Sequence, residues 1–98
     1  MDNSFLHGKK LLLVDDEPEL LQMVAGILKD AGFENIVVAA SVKEGVAEAK
    51  KEKPDLAILD VMLPDGDGFS LMQQLRSFTD VPVIFLTAKD EAANKAVQ

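Results

Sequence analysis

At 98 residues the chain is the size of one small domain, and it carries a net charge of −7 with no cysteine. Its hydrophobic fraction of 48% excludes a disordered tail, and at this length roughly 60–65% of the unfolded surface is buried, enough for one core without staples. The acidic balance excludes direct nucleic-acid binding by this segment, which needs clustered basic residues, and the missing cysteines exclude disulfides and thiolate metal sites.

Residues 1–8 read as a polar lead-in without the apolar stretch of a signal peptide, and His7 within them as a solvated terminal residue rather than a ligand. No run of about 18 apolar residues follows, so no membrane span is expected, and the expected location is the cytoplasm. Residues 9–14 are the first strand candidate, apolar on both faces and stopped by Asp15-Asp16-Glu17. Pro18 suits the first turn of a helix, where its missing N–H costs nothing. Leu20, Val24, Ile27, Leu28 and Ala31 then share a helical face, and Gly32 closes the helix.

A second strand covers residues 36–40. Ser41 and Glu44 form a capping-box pattern at the start of the next helix, whose apolar stripe is Val42, Val46 and Ala49. Gly45 inside it costs about 0.5–1 kcal/mol relative to alanine. Lys50, Lys51 and Lys53 make a solvated helix end of the sign the dipole favours, and Pro54 stops the helix. The apolar run 56–59 delivers Asp60 to the end of a third strand, and a loop with Pro64, Gly66 and Gly68 turns the chain away. Phe69, Met72, Leu75 and Phe78 mark the core face of a third helix, residues 81–86 a fourth strand ending at Thr87, and residues 91–98 the start of a further helix. Strands alternating with helices imply a parallel sheet with right-handed crossovers and helices on both faces. In such sheets ligands bind at the carboxyl ends of the strands.

Those ends carry Asp15 and Asp16, Asp60, and Thr87. Two like charges about 4 Å apart repel by about 4 kcal/mol at an effective dielectric of 20, so the cluster calls for a cation or for protons. Hard oxygen donors without His or Cys point to Mg²⁺. Such a site suits phosphoryl transfer to a carboxylate, with Asp60 the nucleophile candidate and Thr87 a donor to a phosphoryl oxygen. Singly these signals are weak: an Asp after a strand is ordinarily a cap or turn residue, and Asp16 could simply cap the Pro18 helix. Asp65 and Asp67 read as turn and cap residues. Counted from Asp65, the twelfth position is Arg76, so the loop is no EF-hand.

Together, Leu13-Val14-Asp15-Asp16-Glu17-Pro18, the loop from Leu59-Asp60 to Asp67-Gly68, and Val83-Ile84-Phe85-Leu86-Thr87-Ala88-Lys89-Asp90 resemble the receiver domain of two-component response regulators. The resemblance runs from residue 9 to about 93 and implies a domain over residues 9–98. It implies a flavodoxin-like doubly wound sheet, of order 2-1-3-4 here, because the chain stops before the family's fifth strand and last helix. It also implies Asp60 as phosphoacceptor for a histidine kinase, and Mg²⁺ held by Asp15, Asp16, Asp60 and the backbone carbonyl of Met62. Thr87 would be the switch hydroxyl. The protein would not be an enzyme beyond self-catalysed phosphorylation and dephosphorylation of Asp60. The loop wording is most similar to regulators of the winged-helix class, so DNA would be reached only through an output domain outside this segment.

The family's catalytic lysine and aromatic switch residue also lie past the end of the chain, and Lys89 does not hold the lysine's position. An impaired phosphotransfer site, and self-association through the exposed fourth strand or exchanged elements, follow as expectations. Two other readings stand beside the receiver. One is a Mg²⁺-dependent aspartyl-phosphate phosphatase of the haloacid-dehalogenase type, against which Met62 occupies the position of the required second Asp. The other is a non-signalling, assembly-forming fragment.

Overall fold

The apolar run that opens the chain becomes one of two inner strands. The computed structural model describes residues 8–86; His7, Thr87, Lys89 and the helix expected over residues 91–98 lie outside the described residues. The elements are β1 (Lys10–Val14), α1 (Pro18–Ala31), β2 (Asn35–Ala39), α2 (Val42–Glu52), β3 (Leu56–Asp60), a two-residue ribbon of β4 (Met62–Leu63) and β5 (Gly66–Asp67), α3 (Gly68–Arg76) and β6 (Val83–Leu86). The main sheet is parallel with order β2-β1-β3-β6. This is the expected 2-1-3-4 order, since β6 is the fourth strand of the sequence reading. The antiparallel ribbon inside the loop after Asp60 was not foreseen.

Side chains of the inner strands alternate between two cores, as a period of two requires. Leu12, Val14, Ala57 and Leu59 pack with Val42, Ala49, Leu71 and Leu75 under α2 and α3. Leu11, Leu13 and Ile58 pack on the opposite face with Leu21, Val24, Ala25 and Leu28 of α1. Both faces of β1 and β3 are thereby covered, which is why their sequences read as continuous apolar runs.

Local signals fixed most of the boundaries. Pro18 opens α1, and Gly32 closes it at φ 122° with its N–H donating to the carbonyls of Leu28 and Lys29. Ser41 Oγ accepts from the Glu44 N–H at 3.1 Å, and the Glu44 carboxylate reaches back to the Ala40 N–H at 3.0 Å, one residue earlier than a standard capping box.

Two helical faces differ from expectation. On α1 the inward stripe is Leu21, Val24, Ala25 and Leu28, while Ile27 is 60% exposed and Ala31 is exposed. The helix is apolar on more than one side, so its spacing fits two stripes about one residue apart, and the sheet selects one. On α3 the inward residues are Leu71 and Leu75, one turn apart, with Met72 partly buried. Phe69 is half exposed, with its ring on Phe85 at 4.5 Å between centroids. Phe78 lies beyond the end of α3, where helical spacing no longer applies, and Lys50 sits over its ring. Gly45, read as a weak point of α2, is buried where α2 meets α3: a Cβ there would stand 2.9 Å from Leu71 Cδ2.

Candidate metal and phosphoacceptor site

Strand register builds the site. Val14 pairs with Leu59 across β1 and β3, so Asp15, one residue on, is level with Asp60. The N–H of Asp15 donates to the Ala39 carbonyl at 3.0 Å, which ties the end of β1 to β2. Asp15 is fully buried and Asp60 is 2% exposed, whereas Asp16 is exposed. One oxygen of Asp15 accepts the Glu17 N–H at 2.9 Å, a local turn that bends the chain into Pro18. Asp16 is therefore not the cap of α1: Glu17 holds the N-cap position, with no side-chain cap bond.

Carboxylate oxygens of Asp15, Asp16 and Asp60 lie within 4.8 Å of one another, the one such cluster among the described residues. At that separation each charged pair repels by roughly 3–4 kcal/mol at an effective dielectric of 20. The donor set fits Mg²⁺: it is all oxygen and anionic, and an octahedral ion with bonds of about 2.1 Å spaces its ligand oxygens by about 3–4.2 Å. The three oxygens would draw closer together to share one ion, which would leave positions for further oxygens.

The loop after Asp60 is held at several points. Gly68 donates its N–H to the Val61 carbonyl at 2.9 Å, and a Cβ on Gly68 would overlap the Asp60 carbonyl oxygen. Only glycine fits against the site there. Asp67 caps α3 by accepting the Ser70 N–H at 2.7 Å, as its place in the sequence suggested. Asp65 is also a cap, but of a distant helix. Its two oxygens accept the N–H groups of Val42 and Lys43 at 2.7 and 3.0 Å. Those bonds hold its carboxyl below the usual carboxylate range, the Val42 bond most. No local signal marks a partner 23 residues away.

Met62 sits in β4 opposite Asp67, with its side chain 66% exposed. On β6, Leu86 is level with Asp60. The acid trio is thus brought together, Met62 is in the adjoining ribbon, and Thr87 lies outside the described residues.

The family model for the response regulator receiver domain matches residues 11–98. The chain is 44% identical over 88 residues to the regulatory protein VanRc of Enterococcus gallinarum, covering 90% of this chain and 38% of that protein. It is 37% identical over 90 residues to the transcriptional regulatory protein YvrH of Bacillus subtilis, covering 92% of this chain and 38% of YvrH. The chain therefore spans well under half the length of these relatives. Among solved structures, the BeF3-activated N-terminal receiver domain of Klebsiella pneumoniae RstA matches with a TM-score of 0.75 and 33% identity, over 90% of this chain and 74% of that one.

Proposed function

Because the chain belongs to the response regulator receiver domain family, we propose that Asp60 accepts a phosphoryl group from a histidine kinase, within a receiver spanning residues 9–98 behind a lead-in of residues 1–8. The observation that carries this reading is the convergence of Asp15, Asp16 and Asp60 at the carboxyl ends of β1 and β3. Asp15, Asp16, Asp60 and the Met62 carbonyl would hold Mg²⁺. When bound, that ion supplies positive charge against the phosphoryl oxygens and offsets the repulsion among the carboxylates.

The chain's own contribution is position. The buried end of β3 fixes the Asp60 carboxylate, and Gly68, lacking a side chain, lets the loop pass close against the Asp60 carbonyl. One Asp60 oxygen forms the new O–P bond while the N–P bond of the donor phosphohistidine breaks, and the imidazole leaves with the electron pair. Water attacking phosphorus later restores the carboxylate. Thr87, next in sequence after Leu86, would turn its hydroxyl toward the phosphoryl group and carry the switch. The relatives' names as transcriptional regulators support an output on DNA through a domain outside these residues. No helix among the described residues is long and apolar enough to cross a membrane, and a cytoplasmic location remains part of the proposal.

Among the described residues β6 pairs on one side only, with Ile84 53% exposed, and a second copy of the chain is the partner proposed for that edge. No feature of the site favours a phosphatase, since exposed Met62 stands where that chemistry needs an acid.

The test is intact mass after incubation with Mg²⁺ and a small phosphodonor. A gain of one phosphoryl group that Asp60→Asn abolishes is expected; equal gain in Asp60→Asn overturns the assignment.

A further inference from the structure

The ribbon that follows Asp60 ends in an exposed tip, Pro64, Asp65 and Gly66, with little burial to hold it. Its base is secured: Leu63 is in the core, Gly68 bonds to Val61, and Asp67 caps α3. The tip is tied down by Asp65 alone among its side chains, through the two bonds to the first N–H groups of α2. Charge-assisted bonds to a helix N-terminus are among the stronger surface ties. The Lys43 bond is exposed to solvent, and Ser41 already caps the same helix at Glu44. What the Asp65 bonds change is therefore the loop more than the helix.

We infer that Asp65 is a positioning residue for the cation site, pinning the β4–β5 ribbon to α2 so that Met62 and the end of β3 stay in place. The inference rests on the cation-binding reading above. It also makes α2 a reporter of the site, since a cation that tightens the ribbon pulls on the Val42 and Lys43 amides through the Asp65 carboxylate.

Calorimetric titration of Mg²⁺ into the full chain tests it, with Asp65→Ala, Asp65→Asn and Ser41→Ala alongside. Asp65→Ala is expected to weaken Mg²⁺ about tenfold, the lower end for groups beyond the direct ligands. Asp65→Asn, which keeps one acceptor oxygen, falls between. Ser41→Ala removes a cap from the same helix and leaves the ribbon, so it binds as the parent does. Unchanged binding in Asp65→Ala, or equal weakening in Ser41→Ala, overturns the inference. If the parent chain itself binds no Mg²⁺, the cation reading fails first and takes the inference with it. The parent also gives a readout that needs no folded variant: its Val42 and Lys43 amide resonances shift as Mg²⁺ is added. Resonances that stay fixed while Mg²⁺ binds count against the tie.

Discussion

Leu12, Val14, Ala57 and Leu59 look toward α2 and α3, where Val42, Ala49, Leu71 and Leu75 are buried with them. Leu11, Leu13 and Ile58 look toward α1, none of whose residues is buried. The same two strands supply both faces, so the difference lies in what covers them. On the first face two helices meet each other at Gly45 and Leu71 as well as the sheet. That face also contains Leu63, in the loop that follows Asp60. The acidic site therefore leans on the tightly packed side through its loop, and on the looser side through the Asp15 turn into α1.

The largest expected contrast is between core leucine and exposed isoleucine. Leu71→Ala should cost about 2–5 kcal/mol, whereas Ile27→Ala on α1 should stay within about 0.5 kcal/mol. Urea denaturation measures both, and equal losses would erase the distinction between the faces.

Two glycines sharpen it further, because they should respond with opposite signs. Gly45→Ala forces a methyl against Leu71 and should destabilise by about 1–3 kcal/mol. A Cβ on Gly26, in α1, meets nothing within 4 Å, so Gly26→Ala should stabilise by about 0.5–1 kcal/mol. The same denaturation midpoints decide it; shifts of one sign would mean that α1 is packed as closely as α2.

The smallest effect is electrostatic and belongs to the packed side. The N–H groups of Val42 and Lys43 lower the Asp65 pKa on folding. A lowered carboxylate stabilises fully above its unfolded pKa of about 3.9, and that stabilisation is lost as pH falls through the folded value. Asp65→Asn should therefore flatten the acid limb of stability below about pH 4, read from denaturation midpoints against pH. An unchanged limb would mean that the bonds do not persist in solution.

Much of this was legible in the sequence because it is written locally. Runs of apolar residues alternating with capped helical segments gave the order of elements and a parallel sheet, the strand order came from the resemblance to receiver domains, and Gly32, Ser41 and Asp67 marked helix ends by their own chemistry. The acid trio was legible because each member ends or follows a strand, so parallel pairing alone collects them. The unforeseen features depend on neighbours distant in sequence. Which stripe of α1 turns inward is set by the sheet, the half-exposed ring of Phe69 packs on Phe85 of another element, and the partner of Asp65 is on another helix. Gly45 carried a local penalty in the sequence and a packing reason only in three dimensions.

The central claim concerns one oxygen atom of Asp60, and chemical trapping reaches it directly. After phosphorylation by a small phosphodonor with Mg²⁺, borohydride reduction converts an acyl phosphate of aspartate to homoserine, and peptide mapping locates it. The account predicts homoserine at position 60 and at no other aspartate. Conversion at Asp15, Asp16 or Asp65 with position 60 intact would contradict it.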